Sequence, residues 1–287
     1  MRDLTYDNIT ERIIQAYDGT EDARLKHLLT LLIGKLHEFA KEAELSQGEW
    51  LTAVEFLRRA GDISDAQRNE FILLSDLFGL SSLVDLIAGR QAADATEPSL
   101  LGPFHVDGTP ERANGADLIC GNDGARIVVG GGITSTDGGA VADARLEIWQ
   151  NAANGRYVNE DPEQPTDNLR CTLRAGDDGR YCFSTVKPVP YRVPGDGPGG
   201  ELVRAGGRDT WRPAHIHVRI TAPGHRPLVT EIFDTTDPYL ESDAVFGVRE
   251  SLPVPFDRTP TDAELSRHPD IERPFNMVDV DFVLAPT

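Results

Sequence analysis

The segment Arg145-Leu146-Glu147-Ile148-Trp149 alternates polar and apolar side chains over most of its length, and Val278-Asp279-Val280-Asp281-Phe282-Val283 repeats that pattern near the end of the chain. A two-residue period is typical of a half-buried β-strand. Asp177-Asp178-Gly179 lies between Thr172-Leu173-Arg174 and Tyr181-Cys182-Phe183, an order that predicts a hairpin. Several short strands separated by turn signals predict an antiparallel β-sandwich.

The first third of the chain has a different texture. Apolar residues recur there at three- and four-residue spacing, which places them on one face of a helix: Leu25, Leu28, Leu29, Leu32, Leu36 and Phe39. Glycine, proline and aspartate become frequent after Thr96-Glu97-Pro98. We therefore predict an α+β chain, with an N-terminal helical dimerisation or linker domain over residues 1–95 and an antiparallel β-sandwich domain over residues 96–287. The leucine face is either the core of the helical region or a dimer interface, because leucines on short helices need a surface to pack against.

Charge and composition narrow the class of partner. The 287 residues include 28 Lys plus Arg against 47 Asp plus Glu, which gives a formal net charge of −19. Such a field repels polyanions, so nucleic acid and anionic membrane surfaces are not expected partners. A charge spread over the surface for solubility explains the same excess. The hydrophobic content of 39% and charged content of 26% are ordinary for a globular protein.

The cysteines and the N-terminus indicate a cytoplasmic protein. Cys120, Cys171 and Cys182 are odd in number and lack C-x-x-C spacing, as expected of reduced thiols that pack as small apolar groups. The first residues lack the basic and apolar regions of a secretory signal, and no run approaches the roughly 20 apolar residues that a membrane helix needs. We expect no membrane insertion.

The strongest local motif is Arg212-Pro213-Ala214-His215-Ile216-His217-Val218. Residues two apart on a strand face the same side, so both imidazoles can converge on one metal ion, although paired histidines also occur in packing roles. The scarce, unclustered cysteines argue against structural zinc or an iron–sulfur cluster. With Glu231 the pair would form a facial triad suited to ferrous iron. Ferric iron would instead favour tyrosinates, for which Tyr157 and the proline-flanked Tyr191 are candidates, though both are also ordinary packing residues.

Ordered motifs along the chain resemble the intradiol ring-cleavage dioxygenases. They are Thr96–Phe104, Trp149–Tyr157, Gly179–Tyr181, Lys187–Tyr191 and Arg212–His217, in that order. The segments Asp237–Val248 and Lys187–Pro194 resemble the hydroxyquinol 1,2-dioxygenase branch in particular. The resemblance covers nearly the whole chain. It implies ring cleavage of an aromatic diol by dioxygen, with hydroxyquinol (benzene-1,2,4-triol) converted to maleylacetate, or catechol or a substituted catechol as the alternative substrate. A non-catalytic transthyretin-like binding module is the alternative outside enzymes.

The resemblance also implies the site. One ferric ion per chain would be bound by Tyr157, Tyr191, His215 and His217, with Tyr191 and His217 axial. Tyr191 would double as a base for the diol protons, and Arg212 would stabilise negative charge that develops on the ring. Glu231 departs from the family pattern, since catechol-cleaving members usually carry glutamine near the iron there, and this leaves its protonation state and its effect on Arg212 open.

The resemblance also implies seven residues around the substrate ring: Leu73, Asp76, Leu101, Gly102, Pro103, Val193 and Val245. Asp76 stands out because it interrupts an apolar helical stretch. It either faces solvent on an amphipathic helix or accepts a hydrogen bond from the third hydroxyl of hydroxyquinol. The family further implies a homodimer, often with a phospholipid between its N-terminal helices.

Overall fold

The computed structural model describes residues 2–65, 68–90, 92 and 94–287. They form two compact units, one ending at Arg59 and the other beginning at Ala60. Among the described elements, five helices precede the first strand, as predicted, and two short helices lie among the strands. The helices are α1 (Ile9–Ala16), α2 (Ala23–Glu42), α3 (Gln47–Ile63), α4 (Glu70–Leu77), α5 (Leu80–Gly89), α6 (Pro198–Ala205) and α7 (Asp262–Arg267), with a 3-10 turn at Leu240–Ser242.

The helices begin where side chains can cap them. Asp22 accepts a hydrogen bond from the backbone N–H of Leu25 at the start of α2 (2.9 Å). Ser46 and Glu49 form a capping box at the start of α3, each side chain accepting from the backbone N–H of the other residue. Asn69 caps α4 through its side-chain oxygen, which accepts from the backbone N–H groups of Phe71 and Ile72. Polar residues at these positions satisfy N–H groups that have no partner within the helix.

The predicted leucine face of α2 is exposed. Among the described residues, none in α2 is buried, and five of its large apolar side chains are between 46% and 61% exposed: Leu25, Leu28, Leu32, Leu36 and Phe39. These side chains are therefore not a core within the single chain. Within the described part of the chain, no helix is by itself long and apolar enough to span a membrane, and the bent pair α4 and α5 meets that length and composition requirement only when taken together.

Two five-stranded sheets follow the helices. The strands are β1 (Ala116–Asp117), β2 (Arg126–Ser135), β3 (Arg145–Gln150), β4 (Arg170–Arg174), β5 (Arg180–Val186), β6 (Tyr191–Arg192), β7 (Trp211–Arg212), β8 (His215–Thr221), β9 (Leu228–Asp234), β10 (Pro253–Val254), β11 (Phe275–Asp279) and β12 (Phe282–Leu284). The first sheet has the order β1-β5-β2-β11, with β12 also on β2, and the second has the order β10-β9-β8-β3-β4. Strands β6 and β7 form a separate ribbon.

The sheets pack face to face as a sandwich. One continuous core contains Val129 and Phe183 from the first sheet with Ile148, Ile216 and Val218 from the second. The pairs β2/β5, β3/β8 and β8/β9 within the sheets and the edge pair β3/β4 are antiparallel, which agrees with the predicted fold class. Four edge pairings, β1/β5, β10/β9, β11/β2 and β12/β2, are parallel.

The hairpin predicted around Asp177–Gly179 is wrong. β4 belongs to the second sheet and β5 to the first, so the turn carries the chain from one sheet to the other. Gly179 has φ +74°, and a Cβ there would lie 2.7 Å from the backbone oxygen of Ile133. Turn residues mark where the chain reverses, but they do not specify which strands pair.

Candidate metal centre

Strand β8 points its two histidines away from the sandwich core. Ile216 and Val218 face the core, so His215 and His217 face the outer side of the sheet, where they are 2% and 0% exposed. The Nε2 atoms of the two rings are 3.1 Å apart. The predicted convergence of the pair is present in the structure.

The other ring nitrogen of each histidine is already engaged. His215 Nδ1 lies 2.7 Å from the carbonyl oxygen of Pro213, and His217 Nδ1 lies 3.2 Å from that of Leu100. A carbonyl only accepts, so each Nδ1 carries the proton and donates it. Each Nε2 is then an unprotonated acceptor, and the two lone pairs face a common point. Burial lowers the pKa of His217 to about 4 and that of His215 well below its usual value, which keeps both rings neutral.

Two tyrosines complete the cluster. The hydroxyl oxygen of Tyr157 lies 3.2 Å from His215 Nε2. The Tyr191 ring centroid is 5.6 Å from that of Tyr157 and 5.6 Å from that of His215. Tyr191 is positioned by β6, whose antiparallel pairing with β7 places it opposite Arg212. Burial raises the pKa of Tyr157 well above its usual value, and it raises the pKa of Tyr191 to about 12 although Arg212 opposes the shift.

The chemistry of this donor set fits a hard trivalent cation. Adjacent ligands with metal bonds of about 2.1 Å lie about 3.0 Å apart, and the two acceptor nitrogens, at 3.1 Å, match that separation. Without a cation, their facing lone pairs repel each other. Phenol oxygens become strong ligands when they lose their protons, which a bound cation promotes against the effect of burial. The four donors Tyr157, Tyr191, His215 and His217 therefore suit ferric iron.

Glu231 is close enough to be a rival ligand. One of its oxygens lies 3.4 Å from His215 Nε2 and 3.6 Å from His217 Nδ1, and these three residues form a possible metal-binding group. Both carboxylate oxygens are engaged, however. Arg212 donates to Oε1 (2.8 Å) and Ser99 donates to Oε2 (2.6 Å). The geometry therefore favours Glu231 as the partner of Arg212 over a ligand in a facial triad.

Arg212 is held between two buried carboxylates. Its Nε donates to Asp243 Oδ1 (3.1 Å), and its remaining nitrogens lie near Glu231 and His215. Burial works against the charged guanidinium, yet Asp243 and Glu231 hold the pKa of Arg212 well above its usual value. Burial raises the pKa of Glu231, but the charge of Arg212 and the hydrogen bonds from Ser99 and Arg212 bring it below its usual value. Glu231 is thus ionised and paired with Arg212.

A cavity of about 610 Å³ opens onto Tyr191 and Arg212. Six of the seven predicted substrate residues line it: Leu73, Asp76, Gly102, Pro103, Val193 and Val245. Leu101 is 42% exposed and is not among the described residues lining the cavity, whereas the buried Leu100 is, so the substrate contact of Leu101 stays a prediction. Polar residues also line the cavity, among them Arg68, His105 and Glu160.

Asp76 is buried, which excludes the solvent-facing alternative and leaves the substrate contact as a prediction. Its residue exposure is 9%, and it lines the cavity from α4. Burial raises the pKa of Asp76, and a hydrogen bond from Ser81 and the charge of Arg212 oppose that rise. A carboxyl in such a wall gains from a hydroxyl donor that enters the cavity.

Reasoning from the sequence missed four residues that contact the cluster. Ser99 and Asp243 hold Glu231 and Arg212, as described above. Trp149 stacks on the His217 ring at a centroid distance of 4.9 Å, and Phe104 stacks on Tyr157 at 4.3 Å. All four lie in segments that carry the family resemblance, but alternation and spacing do not indicate which neighbours would reach the donors.

Comparisons with known proteins find similarity to dioxygenases along nearly the whole chain. A family model described as "Catechol dioxygenase N terminus" matches residues 22–96, and one described as "Dioxygenase" matches residues 100–285. The chain is 44% identical to the hydroxyquinol 1,2-dioxygenase of a Rhizobium species, over 96% of this chain and 94% of the relative. It is 42% identical to the 6-chlorohydroxyquinol 1,2-dioxygenase of Cupriavidus pinatubonensis, over 100% of both. The solved structure of hydroxyquinol 1,2-dioxygenase from Pseudomonas putida DLL-E4 matches with a TM-score of 0.91 and 40% identity, over 98% of this chain and 99% of that one.

Proposed function

The chain belongs to the intradiol ring-cleavage dioxygenases, and from that membership we propose that it cleaves hydroxyquinol with dioxygen to give maleylacetate at one ferric ion per chain. It is therefore an enzyme, and the non-catalytic transthyretin-like module is not retained. Catechol and substituted catechols rank behind hydroxyquinol because the relatives described above are named for hydroxyquinol or its chlorinated form.

The observation that carries the proposal is the meeting of four donors beside a cavity with a buried carboxyl. Tyr157, Tyr191, His215 and His217 would hold the ferric ion. When bound, the ion would supply Lewis acidity toward the two diol oxygens and the one-electron chemistry that dioxygen requires. The burial of all four side chains supports this assignment, since it keeps bulk water away from the reacting oxygens.

The chain's own residues would bind the diol and move its protons. Tyr191, once ionised as an iron ligand, would take a diol proton at its phenolate oxygen. Arg212 lines the cavity, so its guanidinium can stabilise negative charge on the bound ring. Glu231 and Asp243 fix the orientation of Arg212 and reduce its net positive charge.

Asp76 is the proposed specificity residue. Its carboxyl lies in the same cavity wall as the apolar side chains of Leu73, Val193 and Val245. A third hydroxyl on the substrate ring would give it a hydrogen bond that catechol cannot give. This contrast supports hydroxyquinol over catechol.

We also propose the assembly and location of the enzyme. The helical region of residues 1–95 would form the dimer and would bind a phospholipid between its helices, and the exposed leucine face of α2 supports the dimer role. Residues 96–287 would be the catalytic domain, a division supported by family models that meet between residues 96 and 100. Three free cysteines support a cytoplasmic location.

The test of the metal begins with colour. The purified protein should be red-brown from tyrosinate-to-iron charge transfer and should contain one iron per chain. Tyr157→Phe and His215→Ala should bleach the band and lower the iron content. Tyr181→Phe is the matched control, because Tyr181 is another buried tyrosine whose hydroxyl donates to the backbone oxygen of Val280 (2.8 Å), and its loss should leave the colour intact.

The test of the reaction is dioxygen uptake with hydroxyquinol, 6-chlorohydroxyquinol and catechol, with the products identified. We expect the fastest uptake with hydroxyquinol and one ring-opened diacid product. A colourless protein fully loaded with zinc would overturn the metal assignment, and faster cleavage of catechol would overturn the substrate.

A further inference from the structure

The His217 ring is confined on several sides. Its Nδ1–H donates to the carbonyl of Leu100, and the indole of Trp149 lies almost parallel to its face, with an interplanar angle of 4°. The ring is 0% exposed and Trp149 is 3% exposed. The imidazole therefore has little room to turn or shift.

Gly102 occupies the remaining edge of the ring. A Cβ placed on Gly102 would lie 3.1 Å from Cε1 and 3.3 Å from Nε2 of His217, and among the described residues no other atom lies within 4 Å of it beyond the chain neighbours. Ordinary van der Waals contacts of a Cβ begin at about 3.4 Å, so the ring would have to yield by a few tenths of an ångström. This is the edge whose nitrogen faces His215 Nε2.

We propose that Gly102 and Trp149 are positioning residues for His217, which together form a slot that aims its Nε2 at the metal. The inference rests on the proposed function, because it takes His217 as a ligand. It differs from the predicted role of Gly102 as a substrate contact, although Gly102 also lines the cavity. Ligands must be held within about 0.5 Å of a productive geometry, so a side chain at position 102 acts on the metal through His217.

A second glycine of the same loop separates this effect from backbone strain. Gly102 has φ +70° and Gly108 has φ +74°, so alanine is strained at both positions. No heavy atom of the described chain lies within 4 Å of a Cβ built on Gly108, apart from its chain neighbours. Gly108→Ala therefore reports strain alone, whereas Gly102→Ala adds the contact with His217.

The experiment titrates ferric iron into metal-depleted protein and follows the charge-transfer band. Gly102→Ala should raise the iron dissociation constant by roughly 10- to 100-fold, the usual effect of disturbing the support of a ligand. Gly108→Ala should leave it within about twofold of wild type. The metal-free Gly102→Ala protein should also unfold at a lower temperature than Gly108→Ala, because the contact with the ring exists without metal.

Trp149 provides variants that test the slot even if Gly102→Ala does not fold. Trp149→Phe keeps a flat aromatic face over His217, although a smaller one, and the indole N–H that it removes makes no hydrogen bond in the described structure. Trp149→Leu removes the flat face. We expect Trp149→Leu to weaken iron binding at least about fivefold more than Trp149→Phe.

Three outcomes would overturn the inference. Gly102→Ala could change only KM and leave iron binding at the wild-type value, which would make Gly102 a substrate contact. The two glycine variants could weaken iron binding equally, which would leave only strain. Trp149→Leu and Trp149→Phe could bind iron equally well. If wild type itself takes up no iron, the proposed function fails instead, and the unfolding temperatures of the metal-free glycine variants still decide whether Gly102 holds the ring.

Discussion

At the scale of single residues, Asp76 offers the sharpest test of substrate choice. Asp76→Ala should lower kcat/KM for hydroxyquinol more than for catechol and leave the iron colour intact. An acceptor that loses its donor costs about 1–3 kcal/mol. At about 1.4 kcal/mol per decade, this corresponds to roughly five- to 150-fold discrimination between the two substrates.

The control for Asp76 is Asp85, a partly buried carboxyl on the neighbouring helix α5. Burial raises the pKa of Asp85 to about 6, but Asp85 is not among the described residues that line the cavity. Asp85→Ala should therefore change kcat/KM by the same factor for hydroxyquinol and for catechol. If Asp76→Ala also reduced kcat/KM equally for hydroxyquinol and catechol, Asp76 would have no part in selection.

Some of the site residues were predictable from the sequence and others were not. The strand period placed His215 and His217 on one face, and the structure has them there. The Arg212 pairings with Glu231 and Asp243 were not predictable from spacing, because 19 and 31 residues separate the partners. Leu100 lines the cavity and the predicted Leu101 is half-exposed, and a resemblance carried by short motifs does not determine which of two adjacent leucines turns inward. The roles of these residues stay predictions until variants are measured.

At the scale of elements, the N-terminal cap of α7 should become less stabilising as the pH is lowered. Thr261 and Glu264 form a capping box, and Glu264 also bonds Arg258 (2.8 Å). The Arg258 hydrogen bonds, followed by the Thr261 backbone N–H, lower the pKa of Glu264 to about 2 from an ordinary 4.5. A carboxyl with a lowered folded pKa stabilises the fold above its unfolded pKa, and this contribution disappears as the pH falls from 4.5 toward 2.

Glu264→Gln should therefore reduce the free energy of unfolding by up to about 1 kcal/mol near neutral pH, since the pair is partly exposed. The deficit relative to wild type should shrink as the pH is lowered from about 6 to about 3 in urea titrations. Asp262→Asn removes a charge from the same turn but keeps the capping box and the Arg258 pair. A deficit for Glu264→Gln that stays constant with pH would contradict the assignment.

The order of the helices and strands was predictable from the sequence, but the pairing of the strands within the sheets was not. Helices and strands follow the predicted order because apolar periods differ between the two halves of the chain. The parallel edge strands and the crossover after β4 were not foreseen, because a strand has the same alternating pattern whichever neighbour it pairs with.

At the scale of the whole molecule, the exposed leucine face of α2 predicts self-association. Leu28→Glu with Leu32→Glu should convert a sedimenting dimer to monomers or aggregates, because each places a charge where an apolar surface would be buried. His27→Glu adds a charge about 100° around the same helix from Leu28 and should leave the dimer intact. A wild-type protein that sediments as a monomer at micromolar concentration would contradict the prediction.

Strand β8 has one more consequence, which concerns how the enzyme matures. Its inward side chains belong to the sandwich core, whereas the two histidines lie on the opposite side of the sheet. The apolar core of the sandwich is therefore complete without the ion, and we expect the domain to fold without it, in contrast to small domains that stay unfolded without zinc. We expect newly made chains to reach their native form first and to acquire iron afterwards. The cellular iron supply would then set how much of the enzyme is active, but not how much of it accumulates.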